Sequence, residues 1–195
     1  GNWPGVTVEK KEGKLKGHKD VIITDLPGIY SLSPYTLEEV VARNYLIQER
    51  PDAILNIIDG TNLERNLYLT AQLIEMGVPL IVAVNMMDLA RRQQIHIDLE
   101  MLAARLGCPV VAVVSTQVKG VAALKTQLEQ PAPAPAPALP YPEAIIQAVE
   151  QTLPHLSTVA LPPRLRREWL ALALLEQDAG ALALVTNQSA RQALD

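Results

Sequence analysis

Several residue types are scarce in this chain, and each shortage excludes a class of protein. Cys108 is the one cysteine in 195 residues. A single cysteine cannot form an internal disulfide, so nothing indicates a disulfide-stabilised fold or an oxidising compartment. We expect Cys108 to be a small buried apolar residue rather than a reactive thiol. No apolar run approaches the ~18 residues of a membrane-spanning helix, so none is predicted.

Basic residues are also few. The 17 lysines and arginines are outnumbered by 21 aspartates and glutamates, which gives a net charge of −4. Because no basic stripe is available to neutralise phosphates, we expect no nucleic-acid partner. The hydrophobic share of 49% favours a packed core over disorder. The length suffices for one α/β domain of ordinary size and a small appendage.

Strand and helix patterns alternate along most of the chain. Short β-branched apolar runs, each followed by a helical pattern, predict a doubly wound, mainly parallel α/β sheet with right-handed crossovers. An antiparallel hairpin with a break at Glu12 and Gly13 is predicted at the sheet edge. The predicted buried strands are 21–24, 53–58, 79–84 and 109–114, and the predicted helices are 36–48, 62–76, 98–106 and 121–128.

Local signals mark the ends of three of these helices. Thr36 followed by Glu39 is the pattern of a capping box at a helix start. Gly77 and Gly107 are each well placed to end a helix, because glycine adopts the left-handed conformation easily.

The composition changes after residue 130. Residues 131–138 alternate proline and alanine, which predicts an extended, semi-rigid spacer. Helices are predicted over 142–153 and 163–177, and the tail from residue 179 is either a further helix or frayed. Arg164, Arg166 and Arg167 lie at a helix N-terminus, where positive charge opposes the macrodipole, so we expect them to meet acidic groups. The predicted domains are 1–130, 131–138 and 139–195.

Polar residues follow three of the predicted strands. Asp25 and Gly28 follow the predicted strand 21–24. Asn85 and Asp88 follow the strand 79–84, and Ser115 and Thr116 follow the strand 109–114. Asn85 comes 60 residues after Asp25, and Ser115 comes 30 after Asn85, about two βα units and then one. Open α/β sheets bind ligands at the carboxyl ends of their strands. The order DxxG, NxxD and Ser-Thr is what a GTP-binding domain requires.

Asp88 is the most informative single residue. A carboxylate accepts two parallel hydrogen bonds from the N1–H and exocyclic amine of guanine, a pair that adenine does not offer. Asn85 would hold the loop and reach the N7 or O6 edge of the base, with Ser115 and Thr116 behind it. The competing interpretation, a polar turn after a strand, loses ground because the other motifs occur at matching strand ends.

The residues of the DxxG motif suit a phosphate and a magnesium ion. Asp25 would contact a water on Mg²⁺, and the backbone N–H of Gly28 would bond a γ-phosphate, where glycine permits close approach. Thr7 lies in an upstream loop, where its hydroxyl would ligate Mg²⁺. His18 and the two other histidines have no metal-ligand spacing.

With these motifs in hand, the chain resembles the cytoplasmic GTPase domain of the FeoB family, the bacterial ferrous-iron transporters. The two most specific matching stretches are GNWPGVTVEKKEG at 1–13 and DGTNLERNLYLT at 59–70. Further matches are DLPGIYSLSP at 25–34, NMMD at 85–88 and LGCPVVAVVST at 106–116. The stretch LPPRLRREWLALALLE at 161–176 resembles the helical domain of that family.

The resemblance implies a slow GTPase with a P-loop GTPase-like sheet and a helical appendage. It implies GTP or GDP, Mg²⁺ and K⁺ as cofactors, with Thr7 and Gly28 catalytic and Thr7 and Asp25 at the metal. Ile29 stands where Ras-type proteins carry a water-orienting glutamine, which suits slow hydrolysis. The nucleotide-binding and K⁺-loop residues implied are Asn2, Trp3, Gly5, Val6, Thr7, Asp25, Leu26, Pro27, Gly28, Asn85, Met86, Asp88, Val114, Ser115 and Thr116.

The sequence departs from the family in one respect. It contains no G-x-x-x-x-G-K-[ST] phosphate loop, so the first strand, that loop and the first helix of the usual sheet are absent. The chain begins at Gly1 rather than at methionine, and we expect it to be a piece of a longer protein. As written it should bind nucleotide poorly and hydrolyse almost none.

The resemblance also implies a place and partners. These are the cytoplasmic face of the bacterial inner membrane, a transmembrane iron-permease region of the same polypeptide, and small accessory iron-transport proteins. Two other hypotheses stay open at this stage. One is a non-catalytic module that binds a nucleotide or partner, and the other is a soluble GTPase of ribosome or tRNA metabolism, against which the acidic charge counts.

Overall fold

The computed structural model describes residues 11–33, 35–49, 51–113, 118–130, 132–163 and 165–192. Strands β1 to β5 are Lys11–Leu15, His18–Asp25, Ile54–Asp59, Leu80–Asn85 and Val110–Ala112. Helices α1 to α4 are Leu37–Gln48, Leu63–Met76, Met87–Arg92 and Leu99–Leu106. Helices α5 to α8 are Val118–Leu128, Glu143–Thr152, Arg167–Leu175 and Ala179–Gln192, with a short 3₁₀ helix at Leu153–Leu156.

The centre of the molecule is a parallel sheet in the order β3-β4-β5. Strand β4 lies in the middle, and its residues from Leu80 to Val84 are all buried. That burial explains why the strand is an unbroken apolar run rather than an alternating one. Strands β3 and β4 pair in register, so Asp59 lies opposite Asn85 at the carboxyl end of the sheet. The predicted parallel α/β architecture is confirmed.

The helix boundaries follow the local sequence signals. Thr36 Oγ1 accepts from the amide of Glu39 at 3.2 Å, and Glu39 Oε2 accepts from the amide of Thr36 at 3.0 Å, which is the predicted capping box. Gly77 ends α2 with φ 85°, and Gly107 ends α4 with φ 67°. Both lie in the left-handed region, as predicted.

The N-terminal strands form a separate two-stranded antiparallel hairpin. Its turn falls at Lys16 and Gly17, where Gly17 adopts φ 96°, and not at the predicted break at residues 12 and 13. Residues 21–24 lie in strand β2, as predicted, but the prediction that this strand is buried is wrong. Ile22 is 65% and Ile23 44% exposed, because within the described residues β2 pairs with β1 alone and no second layer covers its face.

The C-terminal helices share one continuous core with the sheet. Leu156, Trp169, Leu170 and Ala181 belong to the same buried cluster as the residues of β4. The tail from residue 179 forms α8 over Ala179–Gln192, so within the described residues it is helical rather than frayed. Helix α7 begins at Arg167, four residues later than predicted. The division into domains 1–130, 131–138 and 139–195 stays a prediction.

Arg166 and Arg167, at the start of α7, contact carbonyl oxygens rather than acidic groups, and Arg164 lies outside the described residues. Arg166 donates from its side chain to the carbonyls of Ile74, at 3.3 Å, and of Ala136, and its backbone amide donates to Met76 at 3.1 Å. Ile74 and Met76 are among the last residues of α2, whose final carbonyls have no partner within the helix. The expectation of carboxylate partners is therefore wrong for Arg166. Positive charge at the carboxyl end of α2 complements that helix's dipole.

Arg167 behaves in the same way. Its guanidinium donates to the carbonyls of Leu156 and Val159, the latter at 2.9 Å. Both carbonyls belong to the segment that precedes α7, so Arg167 fixes the chain's approach to its own helix.

The alanine-proline segment packs against the domain. Ala136 is 1% exposed and belongs to the core, and the ring of Pro137 lies directly against Gly107, where a side chain would collide with it. Across the described residues no single helix has the length and apolarity to cross a membrane. One consecutive pair, Arg167–Leu175 and Ala179–Thr186, reaches both only together and bends by 118° at the break.

Candidate functional site

The turn after β4 carries the Asp88 carboxylate. Asn85 ends the strand, Met86 adopts the left-handed conformation at φ 57°, and Met87 is buried at 7% exposure. A left-handed conformation is sparsely populated for methionine, and such conformations persist where the surrounding packing fixes them. The turn places Asp88 in the first turn of α3. No residue that the structure describes donates a hydrogen bond to its carboxylate, which is half-buried.

The turn between β3 and α2 contacts the turn after β4. The amide of Gly60 donates to the carbonyl of Asn85 at 2.9 Å, and a Cβ at position 60 would lie 2.9 Å from that same oxygen. Glycine is required there because the two turns touch. Asp59 Oδ1 accepts from the amide and hydroxyl of Thr61 at 2.8 and 2.7 Å, which closes the turn. Sequence reasoning missed this support, although the Asp-Gly dipeptide is itself a turn signal.

The DxxG loop follows β2 on the hairpin. Asp25 and Gly28 are exposed, and Pro27 is buried between them. A Cβ built on Gly28 meets no atom of the described residues within 4 Å, and its backbone is not in the left-handed region. Packing among the described residues therefore does not require glycine at this position. A requirement for glycine here would come from a group that approaches the backbone from outside.

Side chains of helix α2 contact the residues that follow the DxxG motif. The Arg65 guanidinium lies 3.8 Å from the centroid of the Tyr30 ring. Further along the loop, the amide of Leu32 donates to Gln72 Oε1 at 2.7 Å, and Leu32 is itself buried. These contacts were not predicted, because they join residues far apart in sequence whose types carry no periodic pattern.

The structure brings together only part of the predicted site. Asn85 and Asp88 share one turn, and the amide of Val113 donates to the carbonyl of Val84 at 2.7 Å, so the chain after β5 starts beside that turn. The DxxG loop follows a strand of the other sheet. Its continuation contacts α2 through Tyr30 and Leu32, and the turn before α2 contacts Asn85. The predicted residues Asn2, Trp3, Gly5, Val6, Thr7, Val114, Ser115 and Thr116 lie outside the described residues.

A cavity lies between α1, α2 and α7, away from the carboxyl ends of the parallel strands. Its lining includes Glu75 and Glu176. Burial, and then the negative charge of Glu176, raise the pKa of Glu75 to about 7. The hydroxyl of Tyr141 donates to Glu75 Oε1. The cavity therefore lies where α1 and α2 meet the C-terminal helices, and Leu32 and Gln72 connect it to the loop after the DxxG motif.

Replacing Glu75 with glutamine is expected to change the pH dependence of stability. The folded-state pKa lies above the ordinary value of 4.5, so the folded state binds the proton more tightly and stability falls as pH rises from about 4.5 to about 7. Glutamine removes this loss and can still accept from Tyr141. The variant should gain melting temperature over the wild type at pH 8 and not at pH 4.5.

Thermal unfolding at a series of pH values would measure this effect. Glu64→Gln, on the exposed face of the same helix, is the matched control. A gain of equal size at both pH values would contradict the assignment to Glu75 ionisation.

Burial also settles the character of the cysteine. Cys108 is 6% exposed, and burial raises its pKa to about 11. A thiol with so high a pKa is a poor nucleophile at neutral pH. The expectation of a small buried apolar residue is confirmed.

Comparison with known proteins points to one family. The family model described as ferrous iron transport protein B matches residues 1–128. The Fe(2+) transporters FeoB of Salmonella typhimurium and Escherichia coli K12 are each 42% identical over 184 residues, which cover 91% of this chain. The chain spans about a quarter of the length of these relatives, 24% in each case.

Solved structures agree with the sequence match. A mutant of S. thermophilus NFeoB bound to GDP superposes with a TM-score of 0.85 at 44% identity, covering 94% of this chain and 71% of that one. NFeoB from S. thermophilus bound to GDP.AlF4⁻ and K⁺ gives 0.82 at 44% identity, covering 94% and 72%. The cytosolic domain of L. pneumophila FeoB gives 0.83 at 36% identity, covering 95% and 82%.

The carboxyl-edge turns, the parallel sheet and these matches agree, and the chain belongs to the FeoB family of ferrous iron transport proteins, with the fold of its N-terminal G domain.

Proposed function

We propose that this chain forms the guanine-recognising part of a GTP-binding domain whose slow hydrolysis regulates ferrous-iron transport. The observation that carries the proposal is the Asp88 carboxylate, which stands at the end of the central strand without a partner among the described residues. The GDP-bound relatives of the same fold support it. Carboxylates at such a position select guanine by pairing with N1–H and the exocyclic amine.

The base would lie over the turn of residues 85–88. Asn85 holds the turn and reaches the N7 or O6 edge, while exposed Met86 covers the base from one side. The contact between Gly60 and the Asn85 carbonyl supports this role, since it fixes the position of the turn before any ligand arrives. Val114, Ser115 and Thr116, which follow β5 in the sequence and lie outside the described residues, would complete the base site.

The phosphates would lie near the DxxG loop. No described residue covers Gly28, which fits the approach of a γ-phosphate to its backbone N–H. Leu26 packs against the core and Pro27 is buried, so both anchor the loop. The exposed carboxylate of Asp25 fits a hard cation, because Mg²⁺ prefers oxygen ligands and keeps several of its waters. Thr7 would add its hydroxyl. When bound, the ion neutralises phosphate charge.

Hydrolysis is proposed to be slow and to depend on potassium. Ile29 packs its side chain against the core, so an apolar group stands where a water-orienting side chain would be needed. Thr7 and Gly28 are the catalytic residues of the proposal. The loop containing Asn2, Trp3, Gly5 and Val6 would hold K⁺ near the phosphates, which the K⁺-bound relative supports.

The partners proposed are a transmembrane iron-permease region of the same polypeptide and small accessory iron-transport proteins. The chain would then work at the cytoplasmic face of the bacterial inner membrane. A second candidate is a non-catalytic module that binds a nucleotide or a partner. It differs from the first in needing no G-x-x-x-x-G-K-[ST] loop, a motif that these 195 residues do not contain.

Binding of fluorescent GDP and GTP with Mg²⁺, compared between this chain and the full-length protein that carries it, tests the proposal. We expect tight binding by the full-length protein, weak binding by this chain, and faster hydrolysis in KCl than in NaCl. Weak binding by both would favour the non-catalytic module. Equal rates in the two salts would remove potassium from the proposal.

A further inference from the structure

The motif at residues 59–70 has no part in the base or phosphate contacts described above, although it is one of the most specific stretches in the chain. It forms the turn before α2 and the first half of that helix. Three of its contacts reach other elements: one reaches the end of β4, one the loop after the DxxG motif, and one strand β3. They are the bond from Gly60 to Asn85, the stack of Arg65 on Tyr30, and the bond between Thr70 and Asn56 in β3.

The placement of Arg65 needs an explanation. It is the third residue of α2, and a positive charge in the first turn of a helix opposes the macrodipole. Across the described part of the chain, no carboxylate lies within ion-pair distance of its guanidinium to compensate. The contact that the side chain does make is the stack on Tyr30 at 3.8 Å, close enough for a cation–π interaction.

A second contact lies on the same face of the helix. Gln72 follows Arg65 by seven residues, two helical turns, so the two side chains are aligned along α2 about 10 Å apart. Gln72 Oε1 accepts from the amide of Leu32 at 2.7 Å. Arg65 and Gln72 therefore hold Tyr30 and Leu32 at two points, and Gly28 lies two residues before the first of them.

We propose that Arg65 and Gln72 form a clamp with Tyr30 and Leu32 that positions the Gly28 backbone for a γ-phosphate. The clamp has a fixed reference, because the turn before α2 is bonded to Asn85 through Gly60. One helix thus sets the distance between the base turn and the phosphate loop. Arg65 is a positioning residue. The effect of the clamp on nucleotide binding rests on the proposed function, whereas the contacts of the clamp do not.

Hydrogen exchange on this chain tests the clamp without any nucleotide. Arg65→Ala and Tyr30→Leu should speed amide exchange in peptides covering residues 28–33. Tyr30→Phe keeps the aromatic face and Arg65→Lys keeps the cation, so both should remain near the wild type. The matched controls are Tyr68→Leu, an exposed tyrosine one turn along α2, and Arg105→Ala, an exposed arginine on α4. Unchanged exchange in both Arg65→Ala and Tyr30→Leu would overturn the proposal.

The same variants in the full-length protein test what the clamp does. Arg65→Ala should lower the affinity for a non-hydrolysable GTP analogue by about two- to five-fold. The affinity for GDP should stay within experimental error of the wild type, because GDP has no γ-phosphate. Arg65→Lys should restore much of the difference. An equal loss of affinity for both nucleotides would show that the clamp is only a structural contact and would overturn the positioning role.

The two failures are distinguishable. If the wild-type full-length protein binds neither nucleotide, the proposed function fails. The exchange rates of residues 28–33 then still decide whether the clamp exists.

Discussion

Replacing Asp88 with asparagine in the full-length protein is expected to weaken both GDP and GTP binding by more than tenfold. The carboxylate accepts two hydrogen bonds from guanine, and an amide can accept only one while its own NH₂ faces a second donor. Tenfold corresponds to about 1.4 kcal/mol, which lies at the lower end of what a mismatched bidentate pair costs. No described group bonds to Asp88 within the protein, so folding should be little affected.

Xanthine nucleotides provide the positive half of this test. Xanthine carries a carbonyl where guanine carries its exocyclic amine, so the NH₂ group that the substitution introduces at position 88 would find an acceptor there. The variant should gain affinity for xanthosine diphosphate as it loses affinity for GDP. Asp20→Asn, at an exposed position of the hairpin, is the matched control. Unchanged GDP affinity in the Asp88 variant would remove guanine selection from this turn.

The sequence predicts best what local chemistry determines. The capping pair Thr36 and Glu39 and the stop glycines Gly77 and Gly107 each act within one turn of helix, and all are found where expected. The apolar run of β4 predicts a strand buried on both faces because no other element of that length tolerates so few polar groups. The parallel sheet then follows from the helices between the strands.

The exposed hairpin shows where such reasoning fails. Ile22 and Ile23 have the composition of a buried strand, but burial depends on a covering layer, which one strand's own residues cannot specify. The expectation that Arg166 meets an acidic group fails for a related reason. Charge predicts that Arg166 needs acceptors, and it cannot distinguish a carboxylate from the free carbonyls at the end of a helix that lies 92 residues away in sequence.

The candidate site divides along the same line. Asn85 and Asp88 are predictable because a strand end followed by a polar turn is a local pattern. Gly60 and Arg65 were missed as supports, since their partners Asn85 and Tyr30 lie on other elements. Contacts between distant residues of ordinary type leave no periodic trace in one sequence.

The largest effect on stability is expected at such a distant contact, the ion pair between α1 and the start of α8. Arg43 donates from both terminal nitrogens to the two carboxylate oxygens of Asp178, each at 2.7 Å, across 135 residues of sequence. Both side chains are largely buried, at 5% and 12% exposure. The Arg43 guanidinium also lies 5.7 Å from the ring centroid of Trp169. Asp178 Oδ1 accepts from the amide of Ala181 at 2.7 Å, which caps α8.

Replacing Arg43 with methionine is expected to cost about 3–5 kcal/mol, because it leaves the buried Asp178 carboxylate without its cation. For a protein of this size that lowers the melting temperature by about 10 °C. The double variant Arg43→Met/Asp178→Asn removes both charges, keeps the cap on α8, and should lose less than the two single variants added together. Chemical and thermal unfolding of the four proteins measures the coupling. Additive losses would show that the two residues act separately.

Acid sensitivity separates the loss of the ion pair from a simple packing defect. Burial by itself would raise the pKa of Asp178, but hydrogen bonds from Arg43 and the amide of Ala181, together with the Arg43 charge, hold that pKa below its ordinary value of 3.8. A lowered folded-state pKa contributes stability that is complete above pH 3.8 and disappears as the pH falls through the folded value. The difference between wild type and Arg43→Met should therefore be largest near pH 7 and should shrink below about pH 3.8. A packing defect alone would leave that difference constant with pH.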